Sequence, residues 1–450
     1  MQQRVRASRR FTTLLAVAAA AVALAAVPLG AAAATGGPRV SDPAAITALQ
    51  AEVANGTLAS THGTVSTCAR FGCRSTVVTT HRGSGAPLTA ADPVGWGARA
   101  LERAFRLAHA PTGNRLVVIV GIGAYPNLES DLNIYRAQYG IAPCTTASKC
   151  LTVRNYRGGP ALQPSDPADE EDIAVETALD VQMVSASCPA CRIAYLGVPV
   201  SFDNDGFIKG FGIATQTAKN MGAAAVSISY GFDTNRAIDH GPLTRIMIQP
   251  GMGLFSASGD FGYMNPRVFQ TGIGGWPQNL RSVVSVGGTT MTADPSVPTG
   301  FAQRAWSAAG SGCAPDLDAA YGQPAAVAAY CNKHRAVTDI AAVSDSVAVY
   351  DTYAPSSGQP FGWITVGGTS ASSPFVAGIA ARAPRVNDAL GPNVIYRARP
   401  GAFVDIASGR NGPATACSRD GVDERLCQSE AGWDGATGRG IPRGLAPFTS

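Results

Sequence analysis

Histidine is scarce in this chain, which has five histidines among 450 residues. No two of them have the spacing of paired metal ligands. An excess of basic charge is also lacking. The first 34 residues hold four of the 35 basic residues and no acidic one, so the remainder carries 31 of each sign. Because a protein that binds nucleic acid needs a basic surface, this composition argues against nucleic acid as a partner. No internal repeat is visible.

Residues 1–34 have the layout of a signal peptide. Four arginines precede an apolar run at 11–29, and four alanines at 31–34 form a small-residue cleavage zone. The apolar run is long enough that a retained membrane anchor is the alternative. No basic stop-transfer segment follows it, which favours a signal peptide. The sequence therefore predicts a secreted, extracellular protein without stable membrane association.

Ten cysteines agree with export, because an even number in a secreted chain indicates disulfides. Pairing between close neighbours is the simplest prediction, although sequence alone does not fix the connectivity. The CPAC segment at 188–191 also has the spacing of a redox or zinc motif. No second cysteine pair or histidine pair with metal-ligand spacing accompanies it, so a structural bridge is favoured. The five predicted pairs are Cys68/Cys73, Cys144/Cys150, Cys188/Cys191, Cys313/Cys331 and Cys417/Cys427.

After the signal, residues 35–86 are predicted to be a short propeptide-like or linker segment around one amphipathic stretch at 43–53. Residues 87–450 are predicted to be one α/β domain, in which apolar strand-like runs alternate with helical segments. Such alternation indicates a doubly wound, mainly parallel sheet with helices on both faces. Strands are expected at 116–121, 193–198, 223–229, 253–256, 283–286 and 347–350. Helices are expected at 94–108, 128–138, 174–185, 211–221 and after Ser370.

The segment GGTSASSP at 367–374 places Ser370 between small residues at the start of a helical, alanine-rich run. Several hydrolases present a nucleophilic serine in this way. The free N–H groups and the dipole of the helix N-terminus can then stabilise an oxyanion. An ordinary capped helix is the alternative, since Thr369 and Ser370 are both good N-cap residues.

A histidine base for Ser370 is not found. His62-Gly63-Thr64 looks like the histidine motif of subtilisins, but it precedes the first core strand. That strand ends GIGA at 121–124, without the aspartate that a triad needs. His62 is therefore predicted to be a surface-loop residue.

Two carboxylates offer another base. Glu176 and Asp180 are four residues apart, so a helix places them on one face, beside an apolar stripe. Two carboxylates this close share a proton and titrate as a coupled pair, which can accept a proton from a serine in acid. A solvated acidic helix face is the alternative, because four acidic residues at 169–172 precede the pair.

A third carboxylate, Asp260, follows a buried-strand pattern in the segment ASGDFG at 257–262. It could cap a turn, which is the usual role of a Gly-Asp pair. If Asp260 reaches the site protonated, its O–H can donate to an oxyanion.

Taken together, these segments resemble the sedolisin family, the serine-carboxyl peptidases, over about residues 87–447. The resemblance implies a subtilisin-like fold with Ser370 as nucleophile and Glu176 as general base. It also implies Asp180 as the partner of Glu176 and Asp260 as the oxyanion donor. The matching segments, in chain order, are ExxxDVQ at 176–182, SISYG at 227–231, ASGD at 257–260, SVGGT at 285–289, DI at 339–340, VAVYD at 347–351 and GTSASSP at 368–374.

The resemblance further implies one calcium ion. Calcium prefers hard oxygen ligands from carboxylates and carbonyls. Side-chain oxygens are expected from Asp405 and Asp434, and main-chain carbonyls from Ile406, Glu430 and Gly432. Two features depart from the family: residues 35–86 are too few for its long prodomain, and a segment between Cys417 and Cys427 separates the two halves of the calcium site.

These observations predict a secreted, calcium-bound serine-carboxyl endopeptidase that cleaves proteins or peptides through an acyl-enzyme, with an optimum in acid. The chain is expected to be a monomer. An exopeptidase that removes tripeptides is the alternative within the class, and a catalytically silent binding protein with the same fold is the alternative outside it.

Overall fold

The computed structural model describes residues 42–449, apart from 56, 62–74, 80–88, 91, 108–113, 166, 233–240, 264–274, 356–360, 384–389 and 413–415. The signal segment, Cys68, Cys73 and every histidine except His334 lie outside these residues. Contacts group Pro38–Ser450 into one unit. No helix in the described ranges is long and apolar enough to cross a membrane.

The helices, in chain order, are α1 (Pro43–Asn55), α2 (Ala98–Ala104), α3 (Leu128–Gln138), α4 (Pro167–Ser187), α5 (Asn204–Asn220), α6 (Pro242–Arg245), α7 (Ala325–Ala328), α8 (Thr369–Arg382), α9 (Asn393–Arg397) and α10 (Ala416–Asp420). The strands are β1 (Ala59–Thr61), β2 (Thr76–Thr79), β3 (Thr89–Ala90), β4 (Leu116–Ile122), β5 (Leu151–Asn155), β6 (Arg192–Val198), β7 (Ala225–Ile228), β8 (Gly253–Ala257), β9 (Val284–Ala293), β10 (Phe301–Ala305), β11 (Gly312–Asp318), β12 (His334–Val337), β13 (Ile340–Val343), β14 (Val347–Asp351), β15 (Gly362–Gly367), β16 (Phe403–Val404) and β17 (Ile441–Pro442).

An eight-stranded sheet forms the centre, in the order β10-β9-β8-β7-β4-β6-β5, with β13 also paired to β9. Every pair in it is parallel except β10–β9. Alternate residues of β4 serve two cores. Val117 and Ile119 pack in the cluster that contains α4 and α8, whereas Val118 and Val120 pack in the cluster that contains α5. Helices therefore cover both faces, which confirms the predicted doubly wound sheet.

A second, antiparallel sheet has the order β1-β2-β15-β14, with β3 paired to β15. The predicted strand at 347–350 exists as β14, but it belongs to this sheet and not to the parallel one. The chain between β14 and β15 has ten residues and holds no helix among those described. Antiparallel pairing is expected here, because a parallel pair usually needs a helical crossover of a dozen or more residues.

Residues of the 35–86 segment pack into this architecture. In α1, Ile46 is buried and the Gln50 amide donates to the carbonyl of Met291 on β9. Strand β2 pairs with β15, with Val77 opposite Val366. The segment thus extends the sheet whose strand β15 leads directly into Ser370.

Most predicted elements are present with shifted ends. Helices α4 and α5 begin seven residues earlier than expected, while α2 is shorter than the predicted 94–108. Four disulfides join the predicted neighbours. They are Cys144–Cys150, Cys188–Cys191, Cys313–Cys331 and Cys417–Cys427. The CPAC segment is thus a structural bridge, as predicted.

Candidate active site

Helix α4 carries the predicted acid pair in the interior of the protein. Glu176 and Asp180 are both fully buried, and Val175 and Leu179 of the apolar stripe are buried beside them. The alternative of a solvated acidic face is therefore wrong. Helix α4 packs against α8, the helix that begins beside Ser370, because small residues line α8 along its buried length.

Asp180 is held by the end of a neighbouring strand. Its Oδ1 accepts a hydrogen bond of 2.6 Å from the hydroxyl of Ser229, the residue after β7. Burial raises the pKa of Asp180 well above its ordinary value, and the neighbouring Glu176 carboxylate raises it further. The Ser229 hydrogen bond acts in the opposite direction. The pair therefore keeps a proton at pH values where isolated carboxyls have lost theirs.

Ser370 is the second residue of α8. The helix is preceded by Gly368, whose backbone conformation favours glycine. Gly368 has a φ of 125°, which lets the chain turn from β15 into the helix. The N–H of Ser370 is among the first four of the helix, which lack an acceptor within it. Its hydroxyl donates at 3.4 Å to the carbonyl of Ser229. Ser229 thus contacts both the predicted nucleophile and Asp180.

Asp260 lies at the same helix end, after strand β8. Its Oδ1 accepts hydrogen bonds from the N–H of Thr369 at 2.8 Å and from the Thr369 hydroxyl at 2.7 Å. The N–H of Gly259 donates in turn to the Thr369 hydroxyl. Asp260 is therefore buried next to Ser370, although the two residues are far apart in the sequence.

The structure brings all four predicted residues into one buried region. Asp180 and Ser370 meet at Ser229, Asp260 reaches Ser370 through Thr369, and Glu176 is one turn before Asp180 on α4. Burial raises the pKa of the Tyr230 phenol well above 10.0, and the Glu176 carboxylate raises it further. His334, the histidine in the described part of the chain, pairs in register with Asp318 on β11.

Two residues of the site, Ser229 and Thr369, were not predicted from the sequence to contact the catalytic candidates. Ser229 belongs to the SISYG segment, and Thr369 was noted as a possible N-cap. The available signal for Ser229 was its position at the carboxyl end of a parallel strand, where sites of α/β sheets lie.

The two halves of the predicted calcium site are neighbours. The N–H of Gly432 donates to Oδ2 of Asp405 at 2.8 Å. Asp434 is buried, and its carboxylate accepts from the Ser429 hydroxyl and from the N–H and hydroxyl of Thr437. The described residues contain no cluster of three or more acidic, histidine or cysteine side chains that could hold a metal.

Arg425, from the segment between Cys417 and Cys427, holds the same loop. Its guanidinium donates to the carbonyls of Ala431 and Trp433 and lies 3.2 Å from the Glu430 carboxylate. Neither of these carbonyls is among the three expected to bind calcium. Since no cationic side chain in the described ranges pairs with the buried Asp434, the oxygen donors at Asp405 and Asp434 fit a calcium ion chemically.

Known proteins share the fold and part of the sequence. Residues 176–398 match the model of the subtilase peptidase family. Tripeptidyl-peptidase 1 of Dictyostelium discoideum is 26% identical over 340 residues, which is 70% of this chain and 50% of that protein. Kumamolisin of Bacillus sp. (strain MN-32) is 25% identical over 359 residues, which is 74% of this chain and 59% of that protein. The chain thus spans between half and three fifths of these two relatives.

Among solved structures, Pseudomonas sedolisin, a serine-carboxyl proteinase complexed with two molecules of pseudo-iodotyrostatin, matches with a TM-score of 0.60 at 20% identity. The match covers 79% of this chain and 97% of that one, which shows a common fold. The structural match shows a subtilisin-like fold, and residues 176–398 are similar to the subtilase family. These similarities, together with the segments described above, support the sedolisin family of serine-carboxyl peptidases as the family that the chain resembles.

Proposed function

We propose that this chain is a secreted serine-carboxyl endopeptidase that hydrolyses proteins in acid through an acyl-enzyme. The observation that carries the proposal is the convergence of Asp180, Asp260 and Ser370 through two bridging residues, Ser229 and Thr369. A surface acidic patch or a simple helix cap would not bury the carboxyl groups of Glu176, Asp180 and Asp260 in the region of one serine.

Proton transfer begins at Ser370. Its hydroxyl turns from the Ser229 carbonyl toward Glu176 and attacks the substrate carbonyl, while Glu176 takes its proton. Asp180 shares a proton with Glu176, so the charge of the pair changes little during attack. A long hydrogen bond at Ser370 is suited to this step, because catalytic hydrogen bonds tighten only when substrate is bound.

The oxyanion is stabilised by the N–H of Ser370 and by a protonated Asp260. Since Oδ1 of Asp260 already accepts two hydrogen bonds from Thr369, the donated proton belongs on Oδ2. Collapse of the intermediate transfers the proton from Glu176 to the leaving amine. Water then attacks the acyl-enzyme by the same steps and releases Ser370.

The test is digestion of denatured casein or haemoglobin in acid, with Ser370→Ala as the control. The substitution removes one oxygen from a buried small-residue turn, so the variant should keep its melting temperature and lose all but trace proteolysis. Equal activity of the two proteins would disprove the proposal, and an inactive wild type with intact folding would favour a binding protein.

A tripeptidyl exopeptidase is the second candidate, because the relative from Dictyostelium carries the name tripeptidyl-peptidase. Mass spectra of two digests separate the activities. An endopeptidase cleaves a peptide whose N-terminus is blocked, whereas an exopeptidase leaves it intact and removes three residues at a time from a free N-terminus.

We also propose one structural calcium ion, held by Asp405 and Asp434 with carbonyls of Ile406, Glu430 and Gly432. An ion that binds only the folded state stabilises it, so chelation should lower the melting temperature. Asp434→Ala alone is ambiguous, because it also removes hydrogen bonds. The decisive result is that chelator no longer changes the melting temperature of this variant. A wild-type protein that melts identically with and without chelator would remove the calcium proposal.

A further inference from the structure

We propose that Ser229 is a positioning residue that fixes the Asp180 carboxyl group, and thereby the location of the shared proton, in the acid pair. The inference rests on the proposed function, because it assigns a role within that catalytic site. It concerns the hydroxyl of Ser229, while the carbonyl of the same residue accepts the hydrogen bond from the Ser370 hydroxyl.

Ser229 is well placed for this role. It follows the last residue of β7, a central strand of the parallel sheet, and its side chain is fully buried. Both neighbouring strands hold β7 by parallel pairing, so its end is fixed relative to α4 and α8. A short side chain at such a position has little freedom, which makes its hydroxyl a precise donor.

The hydroxyl distinguishes the two oxygens of Asp180. Oδ1 accepts the Ser229 hydrogen bond at 2.6 Å, whereas Oδ2 has no hydrogen-bond partner in the part of the chain that the structure describes. A carboxyl oxygen that already accepts a strong hydrogen bond is the poorer site for a proton. The proton of the pair therefore resides on Oδ2 of Asp180, and rotation of the carboxyl by half a turn is disfavoured.

This orientation assists the base. A hydrogen bond donated to Oδ1 makes the Oδ2 proton a stronger donor, so it stabilises the ionised form of Glu176 that must accept the proton of Ser370. The other titratable groups facing Asp180 are the phenols of Tyr195 on β6 and Tyr230 after β7. Burial raises the pKa of both phenols above 10.0, so both stay neutral through the acid range.

Ser229→Ala tests this role, and Ser227→Ala is the matched control. Ser227 lies two residues earlier on β7, is equally buried, and pairs its hydroxyl with that of Ser373 on α8 at 2.8 Å. Both variants lose one buried hydroxyl hydrogen bond from the same strand, so both should lower the melting temperature by a similar amount. Only Ser229→Ala removes a bond to the acid pair.

The readout is the dependence of kcat and KM on pH for a peptide substrate. Ser229→Ala should lower kcat with little change in KM. It should also move the acid limb of the kcat profile to higher pH by on the order of half a unit or more, because a hydrogen bond to a charged group is stronger than one between neutral groups. Ser227→Ala should keep the acid limb of the wild type. Ser229→Cys retains a weaker donor and should give an intermediate limb.

An acid limb of Ser229→Ala that coincides with the wild type would overturn the inference and leave the proposed function intact. If Ser229→Ala does not fold, Ser229→Cys decides in the same way. A wild-type enzyme without acid proteolysis, or one whose activity survives Ser370→Ala, would instead overturn the proposed function and this inference with it.

Discussion

Asp260 has two tasks that one substitution can separate. Its Oδ1 caps the start of α8 at Thr369, and its proposed proton on Oδ2 serves the oxyanion. Asp260→Asn keeps an acceptor for Thr369 and a donor for the oxyanion, but it cannot ionise. We expect reduced activity that no longer falls toward neutral pH, measured as the basic limb of kcat/KM. Loss of the fold, seen as a large drop in melting temperature, would show that the cap dominates instead.

The four proposed catalytic residues could be singled out from the sequence, because each lies in a short, characteristic segment. The hydrogen bonds that connect these residues could not be predicted from the sequence. The hydrogen bond between Ser229 and Asp180 joins positions 49 residues apart, and the one between Ser370 and Ser229 spans 141 residues. Such contacts depend on which strand ends lie next to which helix, and no local pattern encodes that arrangement.

At the scale of elements, the packing of α1 and β2 bears on maturation. Strand β2 pairs with β15, the strand that ends one residue before Gly368, and Ile46 of α1 is buried in the main core. Removing these elements would leave the edge of β15 without its partner and expose apolar surface. We therefore expect the active enzyme to retain them. N-terminal sequencing of active protein should give a start at or before Asp42, and a start near residue 87 would contradict this.

A second buried acid cluster joins α3 to the end of β14. The Tyr125 hydroxyl lies 2.6 Å from Oδ2 of Asp131 and 2.9 Å from Oδ1 of Asp351. A phenol has one hydrogen, so it can donate to only one carboxylate. Asp131 also accepts the N–H of Thr352, which makes Asp351 the better place for a proton. Burial raises the pKa of Asp351 to about 7.

This raised pKa makes stability depend on pH. Since unfolded Asp351 titrates near pH ~4, the folded state binds more protons between that value and 7. The stabilisation is complete below the unfolded pKa and is lost as pH rises through 7, by up to ~4 kcal/mol for this shift. The melting temperature should fall from acid to neutral pH, and Asp351→Asn, which mimics the protonated acid, should reduce that slope. If the slope is unchanged in this variant, the pH dependence of stability arises from other groups, of which Asp180 is the first candidate.

Element type was more predictable than element partnership. The run at 347–350 is apolar enough for a buried strand, and it forms the buried strand β14. Its partner is β15, however, and the two strands pair in an antiparallel sheet. Hydrophobic pattern reports burial, whereas sheet membership follows from the connection that comes next.

At the scale of the whole molecule, one family segment proved structural. Asp339 forms a fully buried ion pair with Arg335 at 2.7 Å and accepts the N–H of Ser285. The Tyr396 hydroxyl also donates to it. Because both carboxylate oxygens of Asp339 have hydrogen-bond partners, this carboxylate holds segments together and does not take part in the proposed chemistry. Its buried pairing could not be read from charge pattern, since Arg335 and Asp339 would also suit an exposed surface pair.

Burial raises the pKa of carboxyl groups at more than one place in the described part of the molecule. Asp180 beside Glu176, and Asp351 beside Tyr125, are carboxyls whose pKa is raised mainly by burial. In the proposed mechanism Asp260 must also stay protonated. Loss of these protons on the way to neutral pH would affect stability and catalysis together, so the two effects need separate measurement.

The pH dependence of kcat/KM for the wild-type protein, corrected for the residual rate of Ser370→Ala, tests the serine-carboxyl assignment most directly. Enzyme held at neutral pH and returned to acid before assay shows how much of any loss is unfolding. We predict a maximum in acid and a reversible decline toward neutrality, as Asp260 and the acid pair lose their protons. A histidine-based serine peptidase would lose activity in acid, where its base is protonated. A maximum at neutral or alkaline pH would contradict the assignment.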